Sequence, residues 1–300
     1  MEVTVLTPTY NRGENLRKLY QTLVDQSNKD FEWVLIDDGS EDNTEEIVKQ
    51  FINENKVSIR YYKKANGGKH RALNMGIEKI NTDLTFIVDS DDWIENNAIE
   101  KINYYHKKYK NENTICGYSF LRRNTKGTIN GKVLKENEVI DDYINIRINR
   151  KDTNSDKAEV WKTKCLKEYP FPEFDGEKFL GEDVVWIQMS LKYKMVFLKD
   201  VISISEYLDE GLTKNRRKHN IESPNGCYYR AKIANKACST RKVDFIYSIK
   251  CLLQLQIYGK FAGKKLSEEY NACNSKYLFW ILYPISIILY NKWKKNSKVI

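Results

Sequence analysis

The 300-residue sequence predicts an α/β fold: a mostly parallel sheet over its first two-thirds, extended by a helical C-terminal region. Three observations predict it. Short β-branched runs alternate with segments of helical periodicity through about the first 120 residues. From Asn225 onward the chain reads as helix. One apolar run, Leu84 to Val88, stops abruptly at Asp89-Ser90-Asp91-Asp92, three carboxylates within four residues. A buried strand can carry Thr85 to Val88, but it cannot take those carboxylates into a core unpaired. They belong at the strand's C-terminal mouth, where open α/β sheets bind ligands.

The elements follow in order. Val3 to Leu6 is a buried-strand pattern, and Glu14 to Gln26 places Leu16, Leu19, Tyr20 and Leu23 on one helical face. Phe31 to Ile36 is the second strand, Thr44 to Phe51 opens the second helix and Val57 to Tyr62 is the third strand. Gly68 to Ile80 is a helix with a glycine-rich entry, Leu84 to Val88 the fourth strand, Ala98 to Tyr109 the next helix and Ile115 to Phe120 a further strand. Strands separated by helices imply parallel pairing through right-handed crossovers. Residues 121–157 are polar, with Asn124, Gly127, Gly131 and Asn137 marking turns, and are expected to form loop or hairpin. Val160 to Lys164 is a short strand. Pro170, Pro172 and Gly176 mark a loop, and Asp183 to Tyr193 is a helix. Met195 to Leu198 and Val201 to Ser205 are two strands closing the sheet. This places a first domain over 1–210 and a basic helical region over 211–300, with no internal repeat.

Composition narrows the class. A hydrophobic content of 41% with 12% aromatics can fill a real core. Six cysteines include no Cys-x-x-Cys pair and three histidines do not cluster, which argues against zinc and redox motifs. The sequence opens directly on a strand pattern, so a cytosolic, reduced protein is expected. Its net charge of +9 is uneven: residues 201–300 hold 18 Lys and Arg against 7 Asp and Glu, whereas residues 1–200 hold 32 against 34. Basic surfaces attract nucleic acid, anionic lipid or anionic substrates. No nucleic-acid module is present, so nucleic acid is not an expected partner. Tyr277 to Tyr290 is an uncharged run followed by Lys292, Trp293, Lys294, Lys295 and Lys298. It falls short of the ~20 residues of a spanning helix. Its terminal aromatics and lysines suit peripheral contact with the headgroups of an anionic membrane, at the inner face of the cell membrane; the plainer alternative is a core helix kinked at Pro284.

Each early strand ends in residues suited to a nucleotide. Thr7-Pro8-Thr9-Tyr10 follows the first, where Pro8 and Thr9 can form a tight turn and Tyr10 can offer a ring to a base. Asp37-Asp38-Gly39-Ser40 follows the second, and one of its carboxylates can accept from a uracil N3–H or a ribose hydroxyl. Asn66-Gly67-Gly68-Lys69 precedes a helix: the bend can approach a diphosphate, and Lys69 supplies charge. Asp89 and Asp91, at i and i+2 in a turn, can converge on one hard cation that bridges to phosphate. Singly, each of these is better explained by an ordinary strand-to-helix turn or helix cap. Four on successive strand mouths point to a nucleotide.

Together, Val3 to Arg12, Leu35-Ile36-Asp37-Asp38-Gly39-Ser40, Asn66 to Gly76 with Arg71 and Asn74, and Asp89-Ser90-Asp91-Asp92 resemble the family 2 glycosyltransferases of the GT-A fold, a Rossmann-like nucleotide-binding sheet. The resemblance is tight over about the first 100 residues and continues loosely to Gly181-Glu182-Asp183. It implies an inverting transfer of a sugar from a nucleotide donor, expected to be UDP-linked, to a hydroxyl of a cell-surface glycan or lipid-linked acceptor. It implies a base and ribose pocket from Pro8, Thr9, Tyr10 and Asp38, with Gly68, Lys69, Asp89 and Ser90 also facing the donor. Asp91 is the implied metal ligand, for Mn2+ or Mg2+, and Asp89 either a second ligand or a ribose partner. Glu182 and Asp183 resemble the family's acidic motif facing the acceptor, with Asp183 the base and Glu182 its neighbour; the plainer alternative is a pair of helix-N-terminal acids favoured by the macrodipole. Trp186 packs in the core or stacks on a sugar. Lys214 to His219 closes over the diphosphate or is a solvated basic loop. Two rivals remain at this point: a nucleotidyltransferase, disfavoured because Pro8-Thr9-Tyr10-Asn11 stands where a basic glycine-rich signature belongs, and a non-catalytic nucleotide- or glycan-binding module, which needs no base.

Overall fold

The computed structural model describes residues 1–149, 156–205, 216–240 and 243–297. The chain forms two compact units, one of Met1–Pro170 with Lys192–Tyr207, the other of Phe171–Leu191 with Leu208–Ile300. The segment expected to close the first domain is thus divided: residues 171–191 cluster with the C-terminal region and 192–207 with the sheet.

The first unit runs β1 (Val3–Thr9), α1 (Gly13–Val24), β2 (Phe31–Asp37), α2 (Thr44–Glu54), β3 (Ser58–Lys63), α3 (Lys69–Lys79), β4 (Leu84–Ile87), β5 (Trp93–Ile94), α4 (Ala98–Tyr109), β6 (Ile115–Arg123), β7 (Glu138–Asp141), a π-helical turn (Asn145–Asn149), β8 (Ala158–Lys162), α5 (Thr163–Glu168) and β9 (Lys194–Ile204). The strand order is β3-β2-β1-β4-β8-β6-β9-β5, with β7 also paired to β9. The first four strands are all parallel, from Val3 opposite Phe31 and Leu84 onward. Beyond β4 the sheet is mixed: β8 runs antiparallel between β4 and β6, while β6 and β9 are parallel.

Strand alternation decides which helix each face receives. Val3, Val5, Trp33 and Leu35 join Leu16, Leu19, Leu23, Ile47 and Phe51 in one core. Leu6 and Ile36 point the other way, onto α3, where a Cβ at Gly76 would lie 2.3 Å from Leu6 Cδ1. The N-cap of α1, Arg12, makes no side-chain capping bond. Burial of its three leucines, on the order of 2 kcal/mol each, outweighs the missing cap.

Two strand assignments change. Pro8 and Thr9 extend β1 rather than form a turn, Pro8 lying opposite Ile36. Thr9 O accepts from Asp38 N on the β2 side, so by alternation Pro8 faces β4. There it has no N–H to donate, and the β1–β4 ladder ends with Val88 N to Leu6 O at 3.0 Å. The proline thus releases β4 just before Asp89. The two runs expected at Met195 and Val201 form one strand, β9, whose register against β6 shifts between Ser119 and Leu121. Its polar middle is satisfied laterally: Asp200 accepts from Tyr105 Oη at 2.7 Å and pairs with Lys101 at 3.3 Å.

The second unit is helical: α6 (Asp183–Ser190), α7 (Arg216–Glu222), α8 (Pro224–Thr240), α9 (Phe245–Phe261), α10 (Leu266–Ala272) and α11 (Lys276–Ser297). Tyr228, Ala231, Leu252, Leu255, Phe279 and Leu282 form its core. Buried Asn235 donates to Cys251 O at 2.9 Å, and buried Gln256 to Phe279 O at 2.8 Å. Helix α11 continues through Pro284. Residues 277–290 lie within α11, and the two faces of that helix differ in burial. Phe279 and Leu282 are core, while Tyr277 and Ile288 are 76% and 67% exposed, with Trp280, Ile281 and Ile285 exposed beside them. Among the described residues no helix is long and apolar enough to cross a membrane.

Candidate active site

Four adjacent parallel strands deliver their C-terminal ends side by side, and the glycine-rich bends after them place the polar groups. Thr9 closes β1 with a buried hydroxyl that has no hydrogen-bond partner among the described residues. Tyr10, next to it, is exposed and free to meet a planar ring. Asp37 is a buried brace, accepting from Ser40 N at 2.7 Å and Tyr61 Oη at 2.6 Å.

Asp38 organises the neighbouring loop. Its Oδ1 accepts from Gly67 N at 2.9 Å and Lys64 Nζ at 2.8 Å; its Oδ2 accepts from Gly68 N at 2.7 Å and Asn66 Nδ2 at 3.3 Å. With two donors on each oxygen, Asp38 ties residues 64–68 to the end of β2 instead of standing as a bare acceptor. Gly39 lets the two segments meet: its φ is 84°, and a Cβ there would lie 2.8 Å from Asn66 N. Gly68, at φ 96°, turns the chain into α3, whose N-terminus lies after β3 at the mouth of the sheet.

Asp89, Ser90, Asp91 and Asp92 follow β4 in the expected place. Lys69 Nζ lies 2.5 Å from Asp89 Oδ1, so the lysine expected to meet a diphosphate is here engaged by the acidic turn. Burial opposes ionisation of Asp89, but the charges of Lys69 and Arg122 hold its carboxyl below the usual range. Asp91 behaves oppositely: burial and the charge of Asp89 raise its carboxyl, and it makes no ion pair among the described residues. Asp89 and Asp91, two carboxylates close enough for the charge of one to raise the other, suit a hard divalent cation. Asp92 is buried and paired with Arg122; burial pushes it up to about 7 against the pull of that guanidinium. Ser90 is buried between them.

Arg122 is a residue that the sequence did not announce. It sits at the end of β6, pairs with Asp92 and donates from Nε to Lys157 O at 2.8 Å. Its partners lie 30 and 35 residues away in the chain, so no local pattern marks it. A three-ligand grouping, Glu2, Asp83 and His106, lies at the opposite ends of β1 and β4 from the Asp89 turn. There His106 is engaged by Tyr118 Oη at 3.3 Å and Asp83 at 3.4 Å.

Glu182 and Asp183 fall in the second unit, at the head of α6. Asp183 is partly exposed and is held by Arg230. Trp186, one turn on, packs edge-on against Phe171 at 5.8 Å and is a core residue. Of the Lys214–His219 run, Lys214 and Asn215 lie outside the described residues. Arg217 stacks over the Trp293 ring at 5.1 Å, and His219 stacks on Phe179 at 5.8 Å.

An α/β sheet with this row of strand mouths defines a nucleotide-binding fold. The family model "Glycosyl transferase family 2" matches residues 4–163, and the chain belongs to that family. Among curated proteins it is 29% identical over 188 residues to "Glycosyltransferase GlyA" of Streptococcus pneumoniae serotype 4, covering 61% of this chain but only 27% of that protein. Among solved structures, S. aureus TarS 1–349 in complex with UDP-GlcNAc matches with a TM-score of 0.59 at 17% identity, covering 99% of this chain and 93% of the other. The mannosyltransferase PcManGT from Pyrobaculum calidifontis, in complex with GDP-Man and Mn2+, matches with a TM-score of 0.57 at 14% identity over 99% and 83% of the two chains. At these identities the two structures share the GT-A fold with this chain.

Proposed function

We propose that this chain is an inverting, metal-dependent glycosyltransferase. It moves a sugar from a UDP-sugar to a hydroxyl of a cell-surface glycan or lipid-linked precursor. The observation that carries this reading is the convergence of Thr9, the Asp38-braced loop, the head of α3 and the Asp89–Asp91 turn on four neighbouring strand ends. Tyr10, Thr9 and the Pro8 backbone receive the base and ribose. Asp38 holds Gly67 and Gly68 so that their bend approaches the diphosphate, with Lys69 as its nearby cation. Asp91 and Asp89 are the residues that would hold Mn2+ or Mg2+, which when bound neutralises charge gathering on the departing nucleoside diphosphate. Asp183 takes the proton of the attacking hydroxyl, and Glu182 orients the approach. A nucleotide sugar in a TarS complex and Mn2+ in a mannosyltransferase of the same fold support the donor class and the cation.

The exposed apolar face of α11, ending in Lys292, Lys294 and Lys295, supports peripheral contact with an anionic leaflet, the surface where a lipid-linked acceptor would be met. This reading separates the catalytic unit at 1–210, with 171–191 contributing the base, from the basic helical region at 211–300.

The test is release of UDP from UDP-GlcNAc with and without Mn2+. Asp91→Ala should lose Mn2+-dependent donor binding. Asp183→Asn should keep donor binding and lose turnover. Equal loss of donor affinity in both variants would undo this division of labour.

A further inference from the structure

A second group of ligating side chains lies away from the mouth of the sheet, within the first unit. Glu2 stands immediately before β1, Asp83 immediately before β4, and His106 in the last turn of α4. One ligand atom from each lies within 4.8 Å of the other two. Backbone bonds pin both carboxylate-bearing residues: Leu84 N donates to Glu2 O at 2.9 Å, and Thr163 N to Asp83 O at 2.9 Å. The strands that follow them pair in parallel with Val3 opposite Leu84, so Glu2 and Asp83 arrive side by side.

His106 supplies the fixed ligand. Its ring is 3% exposed, and Nδ1 lies 3.3 Å from the hydroxyl of buried Tyr118 on β6. That contact holds the ring with Nε2 facing Asp83. When Tyr118 accepts from Nδ1–H, the Nε2 lone pair faces the carboxylate, which is how a metal-ligating histidine stands when its second nitrogen is tied down. The distance favours an ion between the two. A hydrogen bond from a ring N–H to a carboxylate settles at about 2.7–3.2 Å, whereas Nε2 is 3.4 Å from Asp83 Oδ2. Two ligands each about 2.0–2.1 Å from a tetrahedral Zn2+ stand about 3.3–3.4 Å apart. Glu2 is held loosely, its Oε1 3.7 Å from Lys110 Nζ. That lysine is largely exposed and can turn to water when a cation arrives.

We infer that Glu2, Asp83 and His106 form a site for a borderline divalent transition-metal ion of the Zn2+ type, with water completing the tetrahedron. An imidazole beside two carboxylates suits such an ion better than Mg2+ or Ca2+, which take oxygen ligands. Asp83 is 62% exposed and Glu2 32%, so the ion has a path from solvent. Bound there, it ties together the start of β1, the entry to β4 and the end of α4. The site stands at the opposite ends of β1 and β4 from the Asp89 turn, so it takes no part in donor chemistry and does not depend on the transferase reading. Its ligands come from three separate elements, and no short spacing in the sequence announces them.

The experiment uses the full chain without a polyhistidine tag, both unaltered and with Asp91→Ala, which silences the acidic turn after β4. Co2+ stands in for Zn2+, because it absorbs strongly in the visible when tetrahedral and only faintly when octahedral. Equimolar Co2+ should give the strong band in both proteins, and equimolar Zn2+ should erase it. Glu2→Gln and Asp83→Asn alter groups open to solvent and should leave the fold intact; each should weaken Co2+ binding by about tenfold or more. Tyr118→Phe, which removes only the hydroxyl that holds Nδ1, should weaken it about tenfold to a hundredfold. Zn2+ at about a hundred times its dissociation constant should raise the melting temperature by about 5 °C, and by less than about 1 °C in Asp83→Asn. A strong band that persists at the same affinity in Glu2→Gln and Asp83→Asn overturns the site. So does a strong band that is present with Asp91 intact but absent with Asp91→Ala, which assigns the ion to the turn after β4, and so does faint octahedral colour alone.

Discussion

The two units handle charge in different ways. At the mouth of the sheet, acidic and basic groups are supplied by short motifs directly after strands, and strand alternation with glycine bends aims them. Asp38 reaches Gly67 and Gly68 because β2 and β3 are neighbours in a parallel sheet. In the helical unit, charges meet because helices distant in sequence pack side by side. Asp183 and Arg230 lie 47 residues apart, and buried Glu269 on α10 faces Lys260 of α9 at 3.5 Å. Backbone topology places the first set, and side-chain packing places the second. Damage to the first should show as lost ligand binding; damage to the second should leave donor binding intact and show as lost turnover, stability or altered titration.

The largest expected effect is at Asp183, the proposed base. Asp183→Asn should reduce transfer by roughly 10²–10⁴-fold with donor affinity intact, measured by UDP release beside donor titration. Glycine substitutions come next and set the two units against each other. Gly39→Ala forces a side chain into a positive-φ bend that touches Asn66 and should weaken donor binding. Gly259→Ala would put a Cβ 2.4 Å from Glu269 Oε1 and should cost about 1–3 kcal/mol of stability without changing donor affinity. Loss of donor binding in Gly259→Ala would break the comparison.

A smaller effect concerns pH. Burial raises Glu269 from 4.5 to about 7, with Lys260 pulling the other way. The folded state then holds this proton to higher pH than the unfolded chain does. Its contribution is therefore fully present below about 4.5 and is lost as pH rises toward 7. Urea denaturation at pH 5 and pH 8 should show a decline on the order of 2 kcal/mol that Glu269→Gln removes; an equal decline in the variant would refute the attribution. The smallest change is on α11. Ile288→Glu, on its exposed face, should weaken binding to phosphatidylserine-containing vesicles by about tenfold or less with an unchanged melting temperature. Truncating the helix would be the wrong test, because it would also remove Phe279 and Leu282 from the core.

Much of the mouth of the sheet was legible in the sequence. The end of an apolar run locates a strand mouth, because a buried strand cannot hold unpaired carboxylates, and Asp89 to Asp92 follow β4 as that argument requires. Alternation of runs and helical stripes also located α4 at Ala98–Tyr109 without adjustment. What misled was local reading of a residue with two uses. Pro8 suggests a turn, but on the side of β1 where the ladder has ended it costs the sheet nothing. Lys199 and Asp200 suggest a break, but a bulge and lateral partners absorb them into β9.

Periodicity, turn chemistry and the cost of burying charge act over a few residues, so the sequence by itself determined the first four strands, the helices between them and the row of polar groups beyond the strand ends. Pairings between distant segments depend on which faces finally touch. Only the tertiary structure could therefore reveal that Arg122 braces Asp92, that Arg230 grips Asp183, and that the apolar tail helix buries one face while exposing the other.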